Sequence, residues 1–109
     1  MEGQTPREFF EKILPTKFKP EKAKGITTIA QFNVSGSDGG NWFIIIKNQE
    51  LQITEGMATS PDLTFKLSDT DFLDLVTGKI SAEKAVFTGK IQFEGNIVTA
   101  LRLRDAGFL

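Results

Sequence analysis

The sequence of 109 residues contains no cysteine, no histidine and no tyrosine. The lack of cysteine excludes disulfides, thiolate nucleophiles and cysteine-ligated zinc or iron–sulfur sites. The lack of histidine removes the commonest general base near neutral pH and the commonest transition-metal ligand. Carboxylates, lysines, arginines and hydroxyls remain for chemistry, so the composition argues against most classes of enzyme, and we expect a protein without catalysis, metal or cofactor.

The sequence also lacks a large net charge and long apolar runs. Thirteen basic and fourteen acidic residues give a net charge of −1, so nothing in the composition favours binding to nucleic acid. No apolar run approaches the length of a membrane span, and the charged first fifteen residues do not resemble a signal peptide. The last three residues are not a peroxisomal signal. We therefore expect a cytoplasmic protein whose residues 1–109 form a single domain.

The aromatic residues that are present are almost all phenylalanine. There are ten Phe and one Trp. Because phenylalanine has no polar atom, each ring favours a wholly apolar environment. This composition predicts either a core rich in phenylalanine or an apolar cavity.

The first half of the chain predicts one helix and three strands. Thr5 is placed to cap a helix that has Pro6 at its first position, and Pro15 is expected to end it. From Thr27 the apolar period changes to two, with Ala30, Phe32 and Val34 on one face. Successive segments separated by turns predict an antiparallel meander of three strands, at 28–35, 41–47 and 51–54.

The second half predicts a strand, two short helices, a strand and a helix. Ser68, Ser81 and Asn96 are placed to cap the three helices. The motif Thr-Gly-Lys-Ile occurs at 77–80 and 88–91, and its glycines are typical of helix C-termini. Because about twenty residues separate the fourth and fifth strands, we expect a crossover that leaves them parallel. The fold class is therefore α+β, a mixed five-stranded sheet with helices mostly on one face.

Several of these segments together resemble the sterol carrier protein type-2 family, also called the non-specific lipid-transfer domain. The resemblance depends on Ser-Asp-Thr-Asp-Phe-Leu at 68–73, the two Thr-Gly-Lys-Ile motifs, Ala-Val-Phe at 85–87, and Gly95-Asn96 followed by Ala100-Leu101. It extends over roughly residues 27–104. It implies a hydrophobic tunnel between sheet and helices that binds fatty acids, fatty acyl-CoA or sterols.

The large apolar residues are the candidate lipid contacts. They are Phe32, Trp42, Phe72, Leu75, Val76, Phe87, Phe93, Ile97 and Leu101. The alternative is that they fill a dry core. Trp42 could face the cavity or the other side of the sheet, and Phe108 and Leu109 could close the tunnel or fray.

Three further alternatives concern membrane contact, protein partners and catalysis. Lys17, Lys19, Lys22 and Lys24 could meet anionic headgroups or a CoA phosphate during transient membrane contact, or form a solvated linker. A filled core would favour a protein-interaction module, either monomeric or homodimeric. A buried carboxylate with a raised pKa, with Asp62 and Glu94 as candidates, would favour a small enzyme.

Overall fold

The computed structural model describes residues 5–106, and Phe108 and Leu109 lie outside the described residues. Five strands in this described range form one mixed sheet in the order β3-β2-β1-β4-β5. Their bounds are Thr28–Ser35 for β1, Gly40–Lys47 for β2, Glu50–Glu55 for β3, Leu63–Ser68 for β4 and Gln92–Glu94 for β5. The predicted α+β class and element order are confirmed.

Within residues 5–106, four helices accompany the sheet. Helix α1 consists of the consecutive segments Pro6–Glu8, Phe9–Ile13 and Leu14–Lys17, and a 3₁₀ turn follows at Pro20–Lys22. The other helices are α2 at Asp69–Val76, α3 at Ala82–Phe87 and α4 at Ile97–Asp105. In the part of the chain that the structure describes, none of them has the length and apolar character needed to cross a membrane.

Helix α1 begins as predicted but does not end at Pro15. The Thr5 hydroxyl accepts a hydrogen bond from the Glu8 N–H, and the helix then runs on to Lys17. The segment Phe9–Ile13 is a π-helical turn, in which the Leu14 N–H reaches back five residues to the Phe9 carbonyl. Pro15 then lies in the first turn of the following α-helical segment, where its missing N–H costs little. The prediction that Pro15 ends the helix is therefore wrong.

The predicted parallel pairing of the fourth and fifth strands is also wrong. Strands β4 and β5 are antiparallel, and the parallel pair is β1 with β4. Helices α2 and α3 have eight and six residues, or about 12 and 9 Å of helix. After these two helices the chain re-enters the sheet at the end where β4 finished, so β5 runs back along β4.

The connection that crosses the sheet is instead the segment 56–62, held by a buried glutamine. The Gln31 side chain is buried on the face opposite Phe32. Its amide nitrogen donates to the carbonyls of Trp42 and Gly56, and its amide oxygen accepts from the Ala58 N–H at 2.7 Å. These bonds fix where the chain leaves β3 on its way to β4.

The repeated Thr-Gly-Lys-Ile motif ends two helices in the same way. Gly78 and Gly89 have φ of +83° and +82°, in the left-handed region that favours glycine. The next residue in each copy donates its backbone N–H to a carbonyl five residues earlier, at 2.8 Å in both cases. The threonine hydroxyls bond the carbonyls of Leu73 and Lys84. The prediction that these glycines end helices is confirmed.

Candidate functional site

A row of four aromatic side chains crosses the sheet on its helix-covered face. Trp42 on β2, Phe32 on β1, Phe65 on β4 and Phe93 on β5 are successive direct partners in the strand register. The rings of Phe32 and Phe65 stack with centroids 4.9 Å apart, and those of Phe65 and Phe93 are 5.1 Å apart. The row forms because four of the five strands place an aromatic residue at the same register position, whereas β3 places Glu55 opposite Trp42.

The Trp42 end of this row is filled by helices. Phe10 of α1 stacks on Trp42 at 5.0 Å and lies 5.3 Å from Phe32, and Phe72 of α2 lies 5.6 Å from Phe10. All four side chains are buried. The Trp42 Nε1 is buried without a hydrogen-bond partner in the described part of the chain. This end of the row is packed core.

The Phe93 end of the row opens into a cavity of about 310 Å³ between the sheet and helices α3 and α4. Eleven apolar and two charged residues of the described chain line it: Phe32, Phe65, Ala82, Glu83, Val86, Phe87, Ile91, Phe93, Ile97, Ala100, Leu101, Leu103 and Arg104. Its volume falls near the lower end of the range of about 300–1,000 Å³ that is typical of ligand pockets.

The cavity exists because the side chains that α3 and α4 direct toward the sheet are too small or too exposed to fill the space between them. Ala82 and Ala100 line it with single methyl groups. Among the residues of α4 only Leu103 is buried, while Ile97 and Leu101 are exposed at the opening. Phe87, at the C-terminus of α3, lines the cavity but leaves 92% of its surface exposed. The cavity is therefore open to solvent on its helical side.

The two charged residues of the lining pair with each other. The Arg104 guanidinium on α4 forms an ion pair with the Glu83 carboxylate on α3, and it lies 3.6 Å from the Asp105 carboxylate. Both side chains of the Glu83–Arg104 pair retain contact with solvent. The pair joins the two helices that form the wall of the cavity. It places Arg104, which is the one cation of the lining among residues 5–106, beside apolar space.

A larger groove of about 780 Å³ lies between α1 and strand β3. Its lining combines Trp42 and Phe10 with three carboxylates, those of Glu11, Glu50 and Glu55. Arg7 binds Glu55 through two hydrogen bonds of 2.8 and 2.7 Å, which lower the pKa of the Glu55 carboxyl below its usual value. This acidic rim is a poor match for an anionic lipid, so we take the smaller cavity as the candidate site.

The structure places five of the nine predicted lipid contacts on the cavity. They are Phe32, Phe87, Phe93, Ile97 and Leu101. Phe72 and Leu75 are buried in the packed core, Val76 is half-buried against it, and Trp42 lines the larger groove instead. Whether any of the nine touches a bound lipid stays a prediction.

Several lining residues were missed from the sequence. Phe65 is one, although the alternation of β4 already placed it on the buried face. Its position between Phe32 and Phe93 follows from the parallel register of β1 with β4, which the strand pattern did not indicate. Ala82 and Ala100 were missed because a cavity is made by small side chains as much as by large ones.

The carboxylates proposed for an enzyme hold the backbone or lie in solvent. Asp62 is exposed, and its carboxylate accepts from the Ile29 N–H at 2.9 Å. Glu94 is exposed on β5. None of the carboxylates between residues 5 and 106 is buried. This part of the structure offers no support for catalysis by a buried carboxylate.

Comparison with known protein families decides the classification. The model of the SCP-2 sterol transfer family matches residues 10–106. The chain belongs to this family. Family membership implies lipid binding and transfer, and it accounts for the element order that the sequence predicted.

Curated relatives carry the matching region as part of longer chains. Mouse hydroxysteroid dehydrogenase-like protein 2 is 28% identical over 93 residues, which cover 84% of this chain and 19% of that protein. Human sterol carrier protein 2 is 33% identical over 85 residues, which cover 75% of this chain and 16% of that protein. This chain therefore spans about a fifth of the length of the curated relatives that it matches.

Solved structures share the fold. The solution structure of sterol carrier protein domain 2 of Helicoverpa armigera is 30% identical, with a TM-score of 0.66 over 90% of this chain and 79% of that one. Palmitated SCP2L2 from Aedes aegypti is 20% identical, with a TM-score of 0.65 over 87% of this chain and 91% of that one. The helix-covered mixed sheet is thus the fold of the SCP-2 family.

Proposed function

We propose that residues 1–109 act as one lipid-binding unit that holds a single acyl chain, as a fatty acid or fatty acyl-CoA, in the cavity of Phe65 and Phe93 and transfers it without catalysis. The observation that carries the proposal is the open cavity, which is lined by eleven apolar residues and one ion pair. A filled core would instead have favoured a module that only binds protein.

The size of the cavity supports one aliphatic chain. If a methylene takes up about the 30 Å³ that a water molecule occupies in the liquid, the cavity of about 310 Å³ holds about ten of them. At about 0.8 kcal/mol each, ten methylenes contribute roughly 8 kcal/mol before the costs of association. Such burial is non-directional, which suits a carrier that accepts several chain lengths.

The ion pair supports an amphiphile that enters tail first. Arg104 lies in the lining, and its partner Glu83 is exposed. A carboxylate at the cavity mouth could take the place of Glu83, because arginine binds carboxylates through paired hydrogen bonds. The tail would lie against Phe65 and Phe93, and the headgroup would remain hydrated beside Arg104.

The test fills the cavity from within. Ala100→Trp adds a large ring to the lining, so we expect it to reduce binding of the fluorescent fatty acid cis-parinaric acid at least about tenfold. The matched control is Val98→Trp on the same helix, since Val98 is 61% exposed and does not line the cavity. Equal affinity in wild type and Ala100→Trp, with both folded by circular dichroism, would contradict the proposal.

A further inference from the structure

The groove between α1 and β3 runs along a free edge of the sheet. Strand β3 lies at the end of the strand order, so among residues 5–106 its one strand partner is β2. The groove is lined by the consecutive residues 49–53 and by Glu55, which belong to both faces of the strand. A groove that touches both alternating sets of residues follows the edge of the strand rather than one face. The edge is therefore accessible to a further strand.

The register of the hairpin shows which backbone groups face this groove. In an antiparallel pair, hydrogen-bonded and non-hydrogen-bonded partners alternate. The bond of 2.8 Å from the Gly56 N–H to the Asn41 carbonyl fixes the phase of this alternation. The N–H and C=O groups of Leu51, Ile53 and Glu55 therefore point away from β2. Within residues 5–106, none of these groups forms a hydrogen bond with a loop, a turn or a side chain.

Contacts at both ends give the groove a defined length. Arg7 of α1 binds Glu55 at one end, and the Gln49 side chain donates to the Pro20 carbonyl at 3.1 Å at the other. Strand β3 extends between these contacts over about 20 Å. The groove therefore matches an extended segment of about six residues.

The floor of the groove is apolar and its charged groups are acidic. Phe10, Phe18 and Trp42 line it together with the half-buried Leu51 and Ile53. The Trp42 Nε1–H lacks an acceptor in the described part of the chain, which leaves an unpaired donor beside the groove. All charged residues of the lining are glutamates, and no lysine or arginine among residues 5–106 joins them. The lining is therefore suited to a partner that is apolar and basic.

The glutamates also argue against a second copy of this chain as the partner. Arg7 binds Glu11 and Glu55, whereas Glu50 is exposed and forms no ion pair within residues 5–106. Strand β3 contains two acidic residues and no basic one. Pairing of two copies through this edge would bring the same acidic strand against itself, and like charges on paired strands are destabilising. A basic segment would instead neutralise Glu50.

We propose that the free edge of β3 binds an extended segment of a partner protein in which apolar residues alternate with Lys or Arg. The segment adds a strand to the sheet through the outward backbone groups of Leu51, Ile53 and Glu55. Its apolar side chains lie against the floor of the groove, and a basic side chain lies beside Glu50. The groove and the lipid cavity share no lining residue, so the inference does not depend on the proposed function.

The experiment titrates the full chain with the peptide acetyl-Lys-Val-Lys-Val-Lys-Val-Lys-amide. The fluorescence of Trp42, the single tryptophan of the chain, reports binding. Hydrogen exchange measured by NMR locates the peptide: exchange of the Leu51 and Ile53 amides should slow at least about tenfold, because their N–H groups become bonded. The Gln52 amide, which already bonds to β2, should change little. The same peptide with Glu in place of every Lys should bind at least about tenfold more weakly.

Two variants of Ile53 separate the backbone from the side chain. Proline is tolerated at an edge position whose N–H faces outward, so Ile53→Pro removes one donor and keeps the pairing with β2. It should weaken peptide binding about fivefold relative to Ile53→Ala, which removes the side chain but keeps the N–H. Circular dichroism checks that both variants fold, and the exchange pattern of wild type tests the proposal without them.

A charge variant tests the basic character of the partner. Glu50→Gln should weaken binding of the lysine peptide about threefold and reduce its dependence on salt. Glu94→Gln is the matched control, because Glu94 is an exposed glutamate on β5, the opposite edge strand, and should leave binding unchanged. Equal loss in both variants would show a general effect of net charge and would overturn the role of Glu50.

Three results would overturn the proposal. The first is no binding of the lysine peptide, or binding that leaves exchange of the Leu51 and Ile53 amides unchanged. The second is a wild-type dimer in sedimentation equilibrium that Ile53→Pro makes monomeric, which would make the edge an interface between two copies. The third is loss of cis-parinaric acid binding in Ile53→Pro but not in Ala100→Trp, which would make the groove the lipid site. We expect Ile53→Pro to bind cis-parinaric acid like wild type, since Ile53 lies outside the cavity.

Discussion

Glu83 and Arg104 show how a single exposed pair could set the selectivity of the cavity. Their ion pair lies at the opening, and an exposed pair of this kind contributes only about 0–1 kcal/mol to stability. The pair therefore contributes little to the stability of the fold. Its larger effect would be on which ligand headgroup Arg104 binds.

We predict that Glu83→Gln raises affinity for palmitic acid several-fold without raising affinity for hexadecanol. The substitution removes the carboxylate that competes for Arg104 and leaves the apolar lining intact. Displacement of cis-parinaric acid by each compound measures the difference. Glu94→Gln is the control, because Glu94 is exposed and does not line the cavity. An equal change for acid and alcohol would show that Arg104 does not bind the headgroup.

Arg7 and Glu55 give a second prediction at the residue scale, in the dependence of stability on pH. Hydrogen bonds from Arg7 lower the pKa of the Glu55 carboxyl from its usual 4.5. A carboxyl with a lowered pKa in the folded state stabilises the fold above its unfolded pKa, and this contribution is lost as the pH falls through the folded value. The stability difference between wild type and Glu55→Gln should therefore be constant near neutral pH and shrink below about pH 4.5. Urea unfolding across this range measures it, with Glu50→Gln on the same strand as control.

Helices α2 and α4 are both capped by a side chain, but only α4 borders the cavity. Asn96 accepts hydrogen bonds from the Val98 and Thr99 N–H groups, and Ser68 accepts from the Asp71 N–H. Removing such a cap typically costs about 1 kcal/mol. The two caps therefore offer variants of similar stability that should differ in function.

We predict that Asn96→Ala lowers affinity for cis-parinaric acid several-fold, whereas Ser68→Ala does not. Loss of the cap frays the first turn of α4, which carries Ile97 into the lining. Helix α2 contributes no residue to the cavity, so its cap should affect unfolding by urea alone. If both variants lose affinity equally, the fold rather than the wall of the cavity controls binding.

The helices also show where prediction from sequence succeeds and where it fails. Caps at Thr5, Ser68, Ser81 and Asn96 are local features, and all four were predicted. The continuation of α1 past Pro15 was not predicted, because it depends on a π-helical turn that has no clear signature in the sequence.

At the scale of the whole molecule, the strands were predictable and their pairing was only partly so. Alternation located β1, β3, β4 and β5, and a nearly continuous apolar run located β2. The parallel partner of β1 depends instead on a crossing segment held by Gln31, a contact between distant parts of the chain. The candidate site depends on the pairing of β4 with β1 and β5, because this pairing places Phe65 between Phe32 and Phe93. For this reason the sequence alone could not distinguish the large apolar residues that fill the packed core from those that line the cavity.

We predict that palmitic acid stabilises the whole molecule. A ligand that binds only the folded state raises the free energy of unfolding by about 2.7 kcal/mol at a hundred times its Kd. For a chain of this length that corresponds to a rise in Tm of roughly 10 °C or more. Differential scanning calorimetry measures it, and Ala100→Trp should show little rise. A wild-type Tm independent of palmitic acid would contradict binding to the folded state.

Strand β5 has only three residues, and it forms an edge of the sheet with three register pairs to β4. Phe93 lies at its centre and lines the cavity. Detaching a three-residue edge strand breaks few backbone hydrogen bonds. Separating β5 from β4 therefore costs less free energy than separating the longer strands of the sheet. If an acyl chain longer than the cavity binds as proposed, we expect the cavity to widen toward β5 rather than toward the packed rings around Trp42.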